Sequence, residues 1–329
     1  MGNILTVTLN AAIDTTLTIP SAFTLGESQR AGDVLKLPGG KGVNVARVLH
    51  TLGVPVHVAG LANGSMVAFM TEGLAQEGIS STFLPLAGPA RTCTAIVELD
   101  RHRVTEINEP GPTVTDTEGQ TFRDLYETLL PEAGAVVLSG SLPPGLPDDY
   151  YALFIKQAHT LGIPTVLDTS GRSLRPGIEA QPLLVKPNAA EAQEFAGMEV
   201  RHIEDAVRVG HVMRQQGARM VAMTRGSEGA VLVTQMSSWW ARVEVPAFLS
   251  SVGSGDAFVA GLVGRLQHAV EIGESPSLTE AAADAGIAMQ ALILAVACGA
   301  ANTLCLGAGI LTRDDVEHLS SMVDVKVLE

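Results

Sequence analysis

Aromatic side chains make up only 4% of the 329 residues, and charged ones only 17%. With so few rings, a core must be assembled from Ala, Val, Leu and Ile. The low charge, beside 46% hydrophobic residues, excludes a disordered chain. Basic residues are also scarce: 21 Lys and Arg stand against 35 Asp and Glu, a net charge of −14. No Lys/Arg run exists, so the chain lacks the footprint that nucleic-acid binding requires. An acidic chain that handles anionic substrates must gather its few cations at the site, which singles out Lys and Arg beside glycine-rich turns. Cysteines number three, Cys93, Cys298 and Cys305. The number is odd and no spacing suits a metal, so they read as reduced core thiols in a cytosolic (cytoplasmic) compartment. The start, Met1 to Val7, has no basic region before its apolar stretch and reads as a first strand rather than a signal peptide.

Glycine is plentiful, with 34 residues. Many backbone positions can therefore adopt positive φ or approach a ligand closely. The length suits one large domain, or one domain plus a small insert. From Ala285 to Leu306 no residue is charged, which is long enough to span a bilayer. The stretch is Ala/Gly-rich, carries Gln290 and Asn302, and follows Glu280 and Asp284 on what reads as the same helix. A buried helix, or a helix pair broken near Gly299, is the better reading, with no membrane partner.

Short apolar runs alternate with helical patterns. Val54–Leu61, Ala135–Leu138, Pro164–Leu167, Leu183–Val185 and Met220–Met223 read as buried strands. Helical periodicity covers Tyr150–Leu161 and Ile203–Gln216. This alternation predicts an α/β fold with a mostly parallel sheet covered on both faces. Ligands of such sheets bind beyond the carboxyl ends of the strands, where Ser139, Asp168, Lys186, Asn188 and Thr224 fall. Two stretches break the rhythm: residues 13–37, and residues 91–109 with a turn near Asp100-Arg101-His102. They are predicted to form antiparallel strands of a small accessory sheet.

Two glycine-rich motifs carry chemistry. In Pro38-Gly39-Gly40-Lys41-Gly42-Val43-Asn44, three glycines surround a lysine just before a helix predicted over Val43–Leu52. Backbone N–H groups and the helix N-terminus there favour an anion, Lys41 adds a point charge, and Asn44 offers donor and acceptor. A plain tight turn would explain one or two of the glycines but not the embedded lysine. In Val252-Gly253-Ser254-Gly255-Asp256, a turn at a helix start presents successive donors to an anion. A carboxylate in that first turn is commonly a cap, and its alternative role is to take the proton of an attacking hydroxyl.

These motifs, their order and their separation resemble the ribokinase/phosphofructokinase-B carbohydrate kinase superfamily. The resemblance runs through essentially the whole chain. It includes Thr8-Leu9-Asn10 with Asp14, Gly39–Asn44, Ser139–Gly145, Lys186–Glu191, Thr224-Arg225-Gly226 and Gly253–Asp256. Thr105–Asn108, Gly111-Pro112-Thr113 and Gly145–Tyr151 are similar to the 1-phosphofructokinase and tagatose-6-phosphate kinase branch. The resemblance implies a ribokinase-like three-layer α/β/α domain (1–10, 38–88 and 112–329) and a small β lid (11–37 and 89–111). It implies a catalytic base at Asp256 and an anion hole from Gly253, Ser254 and Gly255. It further implies that Asp14, Gly39, Gly40, Lys41, Asn44 and Ser139 line the sugar site. Arg91, which alone reads as a solvated strand-start charge, would hold the phosphate already on the substrate, assisted by Arg30. Lys186, Asn188, Thr224, Gly226, Gly229 and Asn302 would border ATP, with Glu191 ordering Mg²⁺ indirectly. Adenine would lie near Ala297–Asn302. Homodimerisation through the lid is implied too. A monovalent cation (K⁺) beside the anion hole is a further candidate, undecided by sequence because such sites use backbone carbonyls.

The implied reaction is ATP-dependent phosphorylation of a ketohexose monophosphate, with fructose 1-phosphate as first choice. Lys41 and Glu27 depart from the 6-phosphofructokinase branch, which usually has Gly and Lys there, and disfavour fructose 6-phosphate. Arg91–Ile96 is closer to the tagatose type, whereas Thr105–Asn108 leans to the fructose 1-phosphate type. The rival readings are a kinase of nucleosides or unphosphorylated sugars, and a non-catalytic sugar-phosphate sensor on the same fold.

Overall fold

A computed structural model describes residues 2–20 and 22–328. Along the chain the first elements are β1 (Asn3–Thr8), β2 (Ala12–Ile19), β3 (Val34–Gly39), α1 (Lys41–Thr51), β4 (Val56–Asn63), α2 (Val67–Gln76) and β5 (Ser80–Leu86). Next come β6 (Thr92–Glu98), β7 (Arg103–Asn108), α3 (Asp116–Leu129), β8 (Ala133–Ser139), α4 (Tyr150–Thr160), β9 (Thr165–Asp168), α5 (Leu174–Glu179) and β10 (Leu184–Val185). The remainder is α6 (Ala189–Ala196), α7 (Ile203–Gln215), β11 (Met220–Thr224), β12 (Ala230–Val233), β13 (Ser238–Arg242), α8 (Ser254–Glu271), α9 (Leu278–Ala283), α10 (Ala285–Asn302), α11 (Arg313–Ser320) and β14 (Asp324–Val327).

The large sheet has the order β14-β13-β12-β11-β10-β9-β8-β1-β4-β5. From β5 to β11 every pairing is parallel; β12, β13 and β14 extend the sheet antiparallel. Consecutive residues of the parallel strands go to opposite faces, so each strand feeds two cores. Ile4, Val137, Val166 and Leu184 pack under α1, α8 and α10, while Leu5, Val136, Leu167 and Val185 pack under α3, α4 and α7. The result is the three-layer arrangement predicted. The few aromatics concentrate on the second face, where Tyr126, Tyr150 and Phe122 surround Phe154 at ring-centroid distances of 4.3, 4.9 and 5.8 Å.

The uncharged stretch folds as one unbroken helix, α10. Gly299 does not break it; a side chain there would press on the Ser254 carbonyl, 3.2 Å from its Cβ position, so the glycine serves close packing against the start of α8. Glu280 lies on α9, and Asp284 caps α10 by accepting from the Ile287 N–H at 2.9 Å, so the two acids do not share a helix. By length and composition α10 could cross a membrane, yet most of it is buried in protein along α8.

The small sheet has the order β3-β2-β6-β7. Its outer pairs are antiparallel, but its central pair, β2 with β6, is parallel. The prediction of a purely antiparallel sheet is corrected here: the two central strands come from separate excursions of the chain, and no hairpin joins them. The sheet also extends through Pro38 and Gly39, which pair with Ile13 and Ala12.

Candidate active site

Strand order reverses on either side of β1, which lies between β4 and β8. A crevice forms at such a point, beyond the carboxyl ends of the strands. Here it is a cavity of about 510 Å³ whose floor includes Thr8, Ser139, Lys186 and Thr224 and whose roof is the small sheet, through Asp14, Arg91, Cys93 and Asn108. Thr8 Oγ1, Asn10 Oδ1, Thr15 Oγ1 and Ser139 Oγ are buried in its lining without a partner. Buried polar atoms are normally paired, so this orphaned set suits a polar, hydroxyl-rich ligand.

The two glycine motifs meet in this cavity. Helix α1 starts at Lys41 because Gly40, at φ 108°, turns the chain in a way that a side chain would resist. Gly39 is needed for another reason: a Cβ there would sit 2.1 Å from Asp14 Cγ. Helix α8 starts after Gly253, at φ 83°, whose Cβ position lies 2.7 Å from Ala308 Cα. Asp256 thus stands in the first turn of α8, buried, and its Oδ2 accepts from Asn44 Nδ2 at 2.9 Å. Burial pushes its carboxyl up to about 7, against the pull of Lys41 and Lys186 and with a further push from Asp168. A carboxyl near neutrality suits proton transfer. Burial likewise lifts Asp14 to about 6, opposed by Arg47, by Gly40 and Asn44 hydrogen bonds and by Arg91.

Asp168, at the end of β9, is fully buried and takes Lys41 Nζ at 3.2 Å and Lys186 Nζ at 3.3 Å. Burial favours its neutral form, but the two lysines outweigh this and hold it below the usual carboxylate range. Burial also pulls Lys41 down, but Asp168, Asp256 and Glu191 together outweigh that and raise it. The three residues fix two cations at the strand ends. Arg91 is steered by Nε to the Glu109 carbonyl and Nη1 to the Asn10 carbonyl, both at 2.7 Å. Burial lifts Cys93 to about 11, so it lines the cavity as a neutral thiol.

A second cavity, about 620 Å³, adjoins the first and shares Thr224 and Gly255 with it. It is lined by Gly226, Gly229 and Ser254 and by an apolar wall of Val243, Val245, Phe248, Phe258, Val296 and Ala300. An apolar slot ending at a helix N-terminus fits a nucleoside whose phosphates point at the N–H groups.

Three sequence-predicted residues stand elsewhere. Arg30 is exposed on the long connection between β2 and β3 and lines neither cavity. Asn302 is fully buried, donating from Nδ2 to the Val252 carbonyl at 2.8 Å and accepting the Gly309 N–H at 2.8 Å, so it clamps the turns below α8 rather than facing a nucleotide. Glu191 and Asn188 form a reciprocal cap at the start of α6, each accepting the other's backbone N–H at 2.9 Å. Asn188 lines the polar cavity; Glu191 faces a separate surface hollow beside Arg172 and Arg175. No group of three metal-ligating side chains exists among the described residues. The donor set therefore fits an ion carried in on nucleotide phosphates, not one held by the chain alone. Sequence reasoning placed Asp168 at a strand end in the right region without giving it a role, and missed Arg47, whose buried position nothing in the motif reveals. It also missed Val243, Val245 and Phe248, which lie in an irregular segment without a pattern.

The profile of pfkB family carbohydrate kinases matches residues 7–314. Among solved structures, a Staphylococcus aureus protein provisionally named a phosphofructokinase is 29% identical, with 99% of both chains covered and a TM-score of 0.77. A Thermotoga maritima protein provisionally named a 1-phosphofructokinase is 25% identical, with 99% of both chains covered and a TM-score of 0.84. Phosphofructokinase-2 of Escherichia coli, solved in complex with potassium, is 24% identical over 98% of this chain and 99% of its own, with a TM-score of 0.82. The chain belongs to the pfkB family of carbohydrate kinases.

Proposed function

We propose that this sugar kinase transfers the γ-phosphoryl group of ATP to a primary hydroxyl of a ketohexose monophosphate, with fructose 1-phosphate as first choice of acceptor. One observation carries the reading: Asp256 lines a polar cavity ringed by Arg91, Lys41 and Lys186, next in sequence to Gly255, which that cavity shares with an apolar, nucleoside-sized one. A phosphosugar in the first and ATP in the second meet at the N-terminus of α8. The acceptor hydroxyl oxygen bonds to the γ-phosphorus as the bond to the bridging oxygen of ADP breaks, and Asp256 takes the hydroxyl proton. The N–H groups of the α8 first turn and the two lysines stabilise charge on the transferring group. Mg²⁺, when bound on the nucleotide, spreads phosphate charge, and Glu191 would act on it only indirectly. The small sheet, as a lid, keeps water from the phosphoryl group.

The neighbours' names support a phosphofructokinase-like acceptor, and the Thermotoga protein's name favours the 1-phosphate. Tagatose 6-phosphate is the alternative, fructose 6-phosphate is less favoured, and a sugar-phosphate sensor is the non-enzymatic rival. Exposed Val34 on one edge strand of the lid and Ile107 on the other suit pairing with a second copy. The potassium bound by the E. coli protein makes K⁺ a component to vary in assays.

ADP release measured across fructose 1-phosphate, fructose 6-phosphate, tagatose 6-phosphate and unphosphorylated ketohexoses tests the proposal. Arg91→Ala should raise KM for the best phosphosugar about 10- to 100-fold, the worth of one hydrogen-bonded charge, and leave a neutral sugar nearly untouched. No sugar-dependent ADP release with any phosphosugar would sink the reading.

A further inference from the structure

Arg47, one turn after Asn44 on α1, is 5% exposed and lines neither of the two cavities. Its guanidinium gathers acceptors from four places. Nη1 donates to Asn44 Oδ1 at 3.3 Å and to the Ala308 carbonyl at 3.0 Å; Nη2 donates to the Pro38 carbonyl at 2.9 Å. Nη2 and Nε grip the two carboxylate oxygens of Glu77, at 3.0 and 2.5 Å. We propose that Arg47 is a positioning residue for the reaction: it holds the Asn44 amide with its NH₂ turned to Asp256, so that the hydrogen bond to the base favours the ionised, proton-accepting carboxylate.

Hydrogen-bonding valence fixes which way the amide sits. An asparagine amide can sit either way round in the same space, and its neighbours decide which way it sits. A guanidinium has five donors and no acceptor, so the Asn44 atom facing Arg47 must be the oxygen. The nitrogen then faces Asp256 Oδ2 at 2.9 Å, and the same side chain helps hold the Asp14 carboxyl down. A donor aimed at a carboxyl favours its charged form, whereas an acceptor aimed at it favours the protonated acid. Without Arg47, a flipped Asn44 could offer its oxygen to the protonated carboxyls of both aspartates. Burial has lifted these to about 6 and about 7, so the choice falls within the working pH range.

Other charges do not supply the same control. Lys41 and Lys186 pull Asp256 down and Asp168 pushes it up, each through its charge. Arg47 and Arg91 act by charge on Asp14. What Arg47 contributes to Asp256 is the direction of one amide.

The inference rests on Asp256 being the base, and the experiment separates the two ideas. kcat is measured from pH 5.5 to 9 with ATP and the best ketohexose phosphate for wild type, Arg47→Lys, the double variant Arg47→Gln/Glu77→Gln, and Asp256→Asn. Lysine keeps the cation for Glu77 but cannot reach Pro38, Ala308 and Asn44 together. The double variant leaves no unpaired charge in the buried pair, so one of the two should fold, as melting curves will show. In a folded variant the acid limb of the profile should move up by about one pH unit, with kcat about tenfold lower at pH 5.5 and converging on wild type by pH 9. KM for ATP should not change. A folded variant whose kcat is lowered by the same factor at every pH, with the midpoint unmoved, would show Arg47 to be scaffolding only. Turnover retained by Asp256→Asn would instead refute the base assignment, whatever Arg47 does.

Discussion

Replacing Asp256 by Asn should cut turnover by orders of magnitude and make the protein more stable. The carboxyl is 6% exposed and its folded pKa is raised from 3.8 to about 7, chiefly by burial. For a group whose folded pKa lies above its unfolded one, the folded state holds the proton more tightly. Stability is therefore lost as pH rises from about 4 to about 7, and the full loss persists above that. About three pH units correspond to ~4 kcal/mol, and local relaxation brings the expected gain on removing the charge to ~2–4 kcal/mol at pH 8. For a chain of this length that is roughly 3–6 °C in Tm. The asparagine can still accept from Asn44 through its carbonyl, so the packing need not change. Asp14 titrates in both proteins and largely cancels in the comparison. Scanning calorimetry of both at pH 4.5 and pH 8 should show the gap widening with pH, while kcat falls by about 10²–10⁴, the usual worth of a general base. A gap that stays constant, or narrows, with pH would refute the claim that burial of this carboxylate is what the site costs.

Asp168→Asn should lose about 3–5 kcal/mol in a urea titration, because Lys186 would be left buried without its partner. Adding Lys186→Met should recover part of that, though not activity. Gly39→Ala should raise KM for the sugar about tenfold or more, since the new methyl displaces Asp14, and leave KM for ATP within about twofold. Unchanged sugar KM in steady-state kinetics would mean Asp14 does not touch the acceptor.

Much of this arrangement was legible before any coordinates. The apolar runs located five strands of the large sheet to within two residues, because a strand buried on both faces leaves a continuous apolar signal. The polar residues ending those runs marked the cavity floor. The roof was harder. The lid strands were legible, but the parallel β2–β6 pairing joins Ile13 to Thr92 across nearly eighty residues, and no local pattern encodes such a partner. Buried polar side chains were hard to read. Asn302 sits near the apolar cavity but spends its amide on the backbone, and Arg47, which the motif gives no role, lies in the core. Where a polar side chain spends its hydrogen bonds is a tertiary property. Gly255 is different again: no positive φ demands it, and a Cβ there would meet only Lys186 Nζ at 3.5 Å, so its value lies in leaving the seam open.

The contact between α8 and α10 bears on how such an enzyme can diversify. A Cβ at Gly261 would lie 2.8 Å from Ala295 Cα, so the two helices touch almost backbone to backbone. Helix α8 carries Asp256, the proposed base, and α10 walls the apolar cavity, so the close contact ties the two together. Asp14, Arg91, Cys93 and Asn108 belong to the chain segments of the other sheet, which shares no hydrogen-bonded edge with the large one. On the proposed reading, the acceptor preference can therefore be altered by substitutions in the roof that leave the α8–α10 contact untouched.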